Sequence, residues 1–153
     1  MDAGRGPLTV PEFPKYDQKV ADVMVSGTEL LDGGLPGFLG IRQVSAGPGS
    51  LVAELDVRDD LLNPFGTAHG GVVSTLVDHV LGAVLYPVME RGQWAATTEF
   101  KVNLLRPVRD GVVRAEASII SMSRRMAVVR IDVTNGDRLC AAAQGTVSIQ
   151  DPK

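Results

Sequence analysis

Apolar residues recur with a helical period in one long segment of the chain. Between residues 72 and 88 they follow the i, i+3, i+4, i+7 spacing of an α-helix: Val72, Val73, Leu76, Val77, Val80, Leu81, Val84, Leu85 and Val88. Valine alone would favour a strand, but the spacing and the length of the segment outweigh that preference. The pattern therefore predicts a largely buried helix, which Pro87 ends or kinks in its last turn.

Apolar and polar residues alternate on both sides of this helix, and alternation predicts strands. In residues 51–57, for example, apolar side chains occupy one face and mostly acidic side chains the other. The Asn135-Gly136 dipeptide predicts a tight hairpin turn. Six strands are predicted in all, at residues 39–46, 51–57, 95–105, 112–122, 125–134 and 139–149.

The chain before the first strand is predicted to hold one further helix, over residues 15–32, although Gly27 weakens that prediction. Residues 33–37 are a Gly/Pro-rich connection, and residues 1–14 a flexible arm without the pattern of a signal peptide. Residues 15–150 are then a single domain of the α+β class. It consists of a six-stranded, mainly antiparallel sheet wrapped around one long central helix, with an extra N-terminal helix.

Composition narrows the classes of function. The 153 residues carry a net charge of −3, which argues against nucleic-acid binding through overall charge. Cys140 is the only cysteine, so no intramolecular disulfide can form and a cytoplasmic location is expected. No run of about 18 uncharged apolar residues occurs, so no membrane-spanning helix is expected.

A motif before and within the central helix resembles a known signature. Asn63 stands six residues before His69, which opens a His-Gly-Gly sequence, and Asp78 follows His69 by nine. Downstream, residues 102–107 read VNLLRP. Together these resemble the hotdog-fold acyl-CoA thioesterases, in the branch typified by the phenylacetyl-CoA thioesterases. The resemblance covers about residues 33 to 150 and implies the hotdog fold.

The two glycines at the start of the helix suit the stabilisation of an oxyanion. Gly70 and Gly71 have backbone N–H groups without intrahelical partners, and the helix dipole adds partial positive charge there. Glycine also lets a substrate approach the backbone closely. The resemblance implies that the Gly71 N–H is the oxyanion donor and that Gly70 belongs to the substrate-binding site.

Asp78 is an acid on an otherwise mostly apolar helix. Burial raises the pKa of a carboxyl group and so suits it to general-base work. The resemblance implies that Asp78 activates water or attacks the thioester itself, and the sequence does not separate these two routes. On periodicity alone, Asp78 would instead lie on the solvent stripe of the helix with Ser74, Thr75 and His79.

Asp78 and Gly71 are about 10 Å apart along one helix, at 1.5 Å per residue. Both cannot easily act on one thioester carbon from the same chain. The resemblance implies a site between two subunits, in which Gly71 and Asn63 of one subunit face Asp78 of the other. We therefore expect a homodimer, or a homotetramer built as a dimer of dimers.

Other residues of the motif have weaker assignments. Asn63 either holds the thioester or water through its amide, or shapes a turn before Pro64. His69 more readily orients its loop than transfers protons. Thr97 falls where the family has a Ser or Thr that orients water, with Thr98 as the alternative. By strand alternation Thr97 and Glu99 share one face.

A zinc site formed by His69, Asp78 and His79 lacks any known ligand spacing, so no metal is expected.

Coenzyme A requires cationic contacts for its phosphates. The resemblance favours Arg124 and Arg125, with Arg106 and Arg91 behind them, and no cofactor is expected. Tyr86 and Trp94 either line the acyl pocket or simply pack.

The sequence thus predicts an enzyme that hydrolyses acyl-CoA, aryl or fatty, to the free acid and CoA. One alternative is a non-catalytic acyl-CoA-binding or regulatory hotdog protein, which would tend to lack Asp78. Another is a hotdog hydratase or dehydratase. A serine hydrolase is disfavoured because no Gly-x-Ser-x-Gly motif occurs.

Overall fold

Six antiparallel strands form one sheet in the spatial order β1-β2-β4-β5-β6-β3. The structure is a computed structural model, which describes residues 11–27 and 33–152. The predicted sheet is confirmed, and β1 and β3 are its two edges. The strands are β1 (Arg42–Gly47), β2 (Ser50–Asp56), β3 (Trp94–Leu104), β4 (Val112–Met122), β5 (Met126–Asn135) and β6 (Arg138–Gln150).

The predicted central helix runs from Gly70 to Ala83 and packs mainly against β2 to β6. Its apolar face is almost fully buried and includes Leu76, Val77, Val80 and Leu81. A 3₁₀ turn, Tyr86–Val88, follows it and begins beside Pro87, as the proline predicted. The helix starts two residues earlier than predicted because the His69 side chain caps its first turn.

The predicted N-terminal helix is present as a shorter helix within the described residues, and a second short helix follows it. Helix α1 is Gln18–Val25, and the Asp17 carboxylate caps it by accepting from the N–H groups of Lys19 and Val20. Gly27, at φ +70°, follows its end, and residues 28–32 lie outside the described residues. Helix α2 is Gly34–Leu39, where the sequence predicted a connection and the start of a strand. Its proline lies in the first turn, where no intrahelical bond is lost. The central helix, Gly70–Ala83, is α3.

Helix α1 is fastened to the segment that joins α3 to β3. The Asp17 N–H donates to the Pro87 carbonyl at 2.7 Å. The Asp17 carboxylate pairs with Arg91 at 3.2 Å, and Lys15 pairs with Glu90. These contacts hold the amino end of α1 beside the carboxyl end of α3.

Of the predicted flexible arm 1–14, residues 1–10 lie outside the described residues. The half-buried Phe13 packs against the core, and its ring occupies the space where a side chain on Gly49 would begin. Contact with the β1–β2 turn therefore fixes this end of the arm.

Residues 70–88 are apolar and long enough to cross a membrane by those two criteria alone. In the structure they are α3 and the 3₁₀ turn, packed against the sheet. Burial in a protein core accounts for the same composition.

Candidate active site

A cavity of about 970 Å³ lies where α1, α3 and β3 meet, and it brings Asp78 and Thr97 together. Helix α1 supplies an apolar wall through Val20, Val23 and Met24. Helix α3 and the turn after it supply the wall that faces it, through Gly82, Ala83 and Tyr86. We call this the Asp78 cavity. Trp94, the other aromatic residue proposed from the sequence, is not among its lining residues and is 44% exposed.

Asp78 is the one acid in α3, and in a single protomer its side chain is exposed. It therefore lies on the solvent stripe of the helix, as periodicity alone indicated. That stripe also borders the Asp78 cavity, so the carboxylate is accessible to water and to a ligand in the cavity. Burial of this carboxylate requires a partner subunit or a bound substrate.

A β-bulge in β3 places Thr97, and not Thr98, among the lining residues of the Asp78 cavity. The pairing of β3 with β6 shifts between Thr97 and Glu99, so the strand gains one residue at that point. The shift reverses the alternation: Thr97 lines the Asp78 cavity, whereas Glu99 accepts a hydrogen bond from the Thr146 hydroxyl. The Thr98 hydroxyl donates to the Thr146 carbonyl at 2.9 Å. The expectation that Thr97 and Glu99 share a face was wrong because of this bulge.

A second, smaller cavity of about 230 Å³ contains two further residues of the predicted site, whereas the predicted oxyanion donor Gly71 is not among its lining residues. Asn63 and Gly70 line it, together with Leu104 and Arg106 from the end of β3 and Cys140. We call it the Gly70 cavity. Burial raises the pKa of the Cys140 thiol, and its sulfur donates to the Val133 carbonyl, so this thiol is not set up as a nucleophile.

The two glycine N–H groups differ in whether they already have a hydrogen-bond acceptor. The Gly71 N–H donates to Nδ1 of His69 at 2.9 Å, so it is occupied by the helix cap. The Gly70 N–H has no hydrogen-bond partner within residues 11–27 and 33–152. Of the two, Gly70 is thus the available donor. His69 is the loop-shaping residue that the sequence favoured.

Asn63 shapes its loop. Its Oδ1 accepts from the N–H groups of Phe65 and Thr67, and its Nδ2 donates to the Thr67 hydroxyl at 2.8 Å. This is the turn role that the sequence offered as the alternative. An amide nitrogen carries two hydrogens, and in the described part of the chain only one of those on Asn63 is used.

Arg124 and Arg125 lie away from both cavities, in clefts of about 440 and 430 Å³ at the β4–β5 junction. Both are exposed, and neither guanidinium pairs with another described residue. Arg91 borders both the larger of these clefts and the Asp78 cavity. Arg91, whose guanidinium pairs with Asp17, therefore lies between the Asp78 cavity and the cleft of Arg124, which also contains Glu90 and Asp151.

Gln43 and His79 are polar residues of the Asp78 cavity to which the sequence analysis gave no such role. Gln43 Nε2 and His79 Nε2 are 3.2 Å apart. Burial lowers the pKa of His79, and the charge of Asp78 opposes this only in part. A glutamine at an inward position of a predicted strand was the signal that could have identified the pair.

Within the described part of the chain, no three His, Cys, Asp or Glu side chains are placed to hold a metal ion.

Known proteins resemble this chain in sequence and in fold. A family model for the thioesterase superfamily matches residues 65–142. The chain belongs to the thioesterase superfamily. This membership confirms the predicted family, the hotdog fold and the class of thioester hydrolases.

Several members of the superfamily are similar over most of this chain. Human acyl-coenzyme A thioesterase 13 is 30% identical over 106 residues, which are 69% of this chain and 75% of that protein. A thioesterase from Haemophilus influenzae superposes with a TM-score of 0.76 at 30% identity, covering 80% of this chain and 87% of that one. A phenylacetic acid degradation protein from Thermus thermophilus gives 0.67 at 33% identity, covering 73% and 95%.

Proposed function

We propose that this thioesterase hydrolyses acyl-CoA to a free acid and CoA, with Asp78 as its catalytic carboxylate. The observation that carries the proposal is the position of Asp78. It is the one acid of the central helix, and it borders a cavity of about 970 Å³ with apolar walls. Such a volume suits the acyl part of a substrate. The human relative is named an acyl-coenzyme A thioesterase, which supports coenzyme A as the thiol.

Two routes are open to a carboxylate at this position. As a general base, Asp78 removes a proton from water while the oxygen attacks the thioester carbon. The C–S bond then breaks, and the CoA thiolate takes the proton from Asp78. As a nucleophile, Asp78 attacks the carbon itself and expels the thiolate, and water then hydrolyses the mixed anhydride. Thr97 lines the same cavity and is suited to orient the water in either route.

Both routes place a negative charge on the thioester oxygen, and we assign its stabilisation to the Gly70 N–H. This group has no partner among the described residues and lies at the positive end of α3, and Gly70 lines the Gly70 cavity. We thereby move the role from Gly71, whose N–H already donates to His69. Asn63 lines the same cavity, and its second amide hydrogen is suited to the same oxygen or to the attacking water.

The Asp78 cavity and the Gly70 cavity share no lining residue. Gly70 and Asp78 are eight residues apart on one helix, which is about 12 Å by rise. We therefore propose that an active site combines the Asp78 cavity of one subunit with the Gly70 cavity of another. The coenzyme A phosphates would lie along the path of Arg91, Arg124 and Arg125, where two guanidinium groups are unpaired among the described residues.

The test is the release of free thiol from a panel of short, long and aromatic acyl-CoAs. Asp78→Asn should lower kcat at least about 100-fold, as expected for a lost general base or nucleophile. Asp22→Asn is the matched control, since Asp22 is an exposed acid on α1 that is not among the lining residues of the Asp78 cavity. Near-normal turnover by Asp78→Asn would refute the assignment. Tight acyl-CoA binding without turnover by the wild type would favour a binding protein.

A further inference from the structure

Helix α1 uses one side of its surface to pack and an adjacent side to bound the Asp78 cavity. It rests mainly on β1 and on the 3₁₀ turn Tyr86–Val88. Its Ala21 and Met24 side chains are buried. Val20 and Val23 are three residues apart, so they lie on one side of the helix, and both line the cavity. Val23 remains 45% exposed there, which leaves apolar surface for a ligand to cover.

The wall across the cavity from α1 is built from small residues. It includes Gly82, Ala83 and Ala95, whose short side chains leave space between α3, β3 and α1. Charged residues line the cavity as well, at Lys19, Asp78 and Arg91, but all three are exposed. The space between Val23 and the small residues is therefore bounded mainly by hydrocarbon. An acyl group that displaces water from such surfaces gains hydrophobic stabilisation.

Contacts at the amino end of α1 fix the position of this wall. The Asp17 N–H donates to the Pro87 carbonyl at 2.7 Å, and the Asp17 carboxylate pairs with Arg91. The Tyr16 hydroxyl donates to the Ala46 carbonyl at 3.3 Å. A helix of eight residues is not stable by itself in water, so such tertiary contacts determine where α1 lies. Its valines are thus presented to the cavity from a fixed backbone.

Helix α1 also lies outside the residues that match the family model. Those residues, 65–142, include Asp78 and Thr97 but not α1. The proposed catalytic carboxylate and this wall of its cavity therefore come from separate parts of the chain. A change in α1 can alter the space for the acyl group without altering Asp78 or Thr97.

We propose that α1 limits the length of the acyl group that the Asp78 cavity accepts, with Val23 as the specificity-determining residue. The proposal rests on the proposed function, since the acyl group must occupy this cavity. It concerns size, so it applies to straight-chain and to aromatic acyl groups alike. One methylene group more or less in an apolar pocket changes kcat/KM by about 10–200-fold. Because Val23 is partly exposed, we expect an effect near the lower end of that range.

The test changes the size of side chain 23 and compares homologous substrates. Val23→Phe should fill part of the cavity, and Val23→Ala should enlarge it. Neither change removes a buried side chain, because Val23 is exposed. Val25→Phe and Val25→Ala are the matched controls, since Val25 is a 36% exposed residue of the same helix and is not among the lining residues. Circular dichroism and thermal melting establish that each variant is folded.

The measured quantity is kcat/KM along two series of substrates. One series contains straight-chain acyl-CoAs from butanoyl-CoA to hexadecanoyl-CoA, and the other contains phenylacetyl-CoA and its longer homologues. Val23→Phe should lower kcat/KM about tenfold or more for the longest substrates that the wild type accepts, and leave the shortest nearly unchanged. Val23→Ala should shift the preferred length upwards, and it decides the proposal if Val23→Phe does not fold. The Val25 variants should keep the wild-type profile.

A change that is equal at all chain lengths, or the same shift in a Val25 variant, would overturn the proposal. If the wild type hydrolyses nothing in either series, the proposed function fails, and calorimetric binding of the same acyl-CoAs then decides this proposal separately. Weaker binding of only the long acyl groups by Val23→Phe supports α1 as the limiting wall. An equal effect on every length, or no binding by the wild type, overturns it.

Discussion

Replacing Gly70 by proline removes the proposed oxyanion donor and leaves its surroundings almost intact. Gly70 is the first residue of α3, where proline is well tolerated because the N–H has no intrahelical partner. The preceding residue must be extended before a proline, and His69 already is, with φ −60° and ψ 137°. Gly70→Pro therefore deletes one hydrogen-bond donor without breaking a helical hydrogen bond.

A matched variant separates the loss of the donor from the added bulk. A Cβ at position 70 would lie 2.7 Å from Leu104 Cδ1, the end of a flexible side chain that can move. Gly70→Ala brings this same contact but keeps the N–H. Loss of one oxyanion donor lowers kcat about 10²–10³-fold, equivalent to about 2.7–4 kcal/mol of transition-state stabilisation. We expect a loss of that size in Gly70→Pro and a loss of less than about tenfold in Gly70→Ala.

The assay is steady-state release of CoA thiol, with thermal melting of each variant to establish that it is folded. The contrast between proline and alanine should appear in kcat, since the donor acts on charge that develops in the transition state. Equal activity of the two folded variants would refute the assignment to Gly70. A large loss in Gly71→Pro, which deletes the Gly71 N–H, with little loss in Gly70→Pro would return the role to Gly71.

Three further predictions follow from the same structure. Mixing Asp78→Asn chains with Gly70→Pro chains should restore about a quarter of wild-type activity. About half of the dimers are then mixed, and each mixed dimer has one intact site of two. Absence of recovery despite demonstrated subunit exchange would exclude a shared site. Gly145→Ala should destabilise the protein by about 1–3 kcal/mol in urea denaturation, because its Cβ would lie 2.7 Å from a backbone carbonyl of β3, whereas Gly33→Ala, with open space, is the control. The pKa of His79 is lower in the fold than its ordinary value of 6.5, so its contribution to the free energy of unfolding should be fully present above that pH and be lost as the pH falls below it. His79→Leu should reduce the slope of the free energy of unfolding against pH in this acidic range. An unchanged slope would contradict the assignment.

The sequence predicted the fold well where burial imposes a strong period. The helix predicted from the spacing in α3 and the strand predicted from the alternation in β4 are both confirmed, because each pattern follows from one buried face. Prediction failed where local composition misleads. The glycines and proline of Gly34–Leu39 indicated a connection, although proline in a first turn and glycine at a helix end are compatible with a helix.

For the candidate site, the sequence indicated residues but not their geometry. The motif predicted Asp78, Asn63 and, as oxyanion donor, Gly71 rather than Gly70, but a spacing does not reveal which N–H group is already paired. The His69 side chain settles that point for Gly71. Likewise, strand alternation cannot anticipate the bulge that turns Thr97 towards Asp78. Both features depend on contacts that do not follow from the helical or strand periodicity of the sequence.

The proposed shared site divides acyl selectivity and catalysis between subunits. In that proposal, the Asp78 cavity, which Gln43 also lines, belongs to one chain and Gly70 to its partner. In mixed dimers, the restored site uses Asp78 of the chain that carries Gly70→Pro. Adding Gln43→Met to that chain should change the preference among acyl-CoAs in the recovered activity, because Gln43 lines its Asp78 cavity. Adding it to the Asp78→Asn chain should leave the preference intact, because that chain contributes only its Gly70 cavity. Equal effects in both placements would mean that the acyl group is held by residues of both subunits.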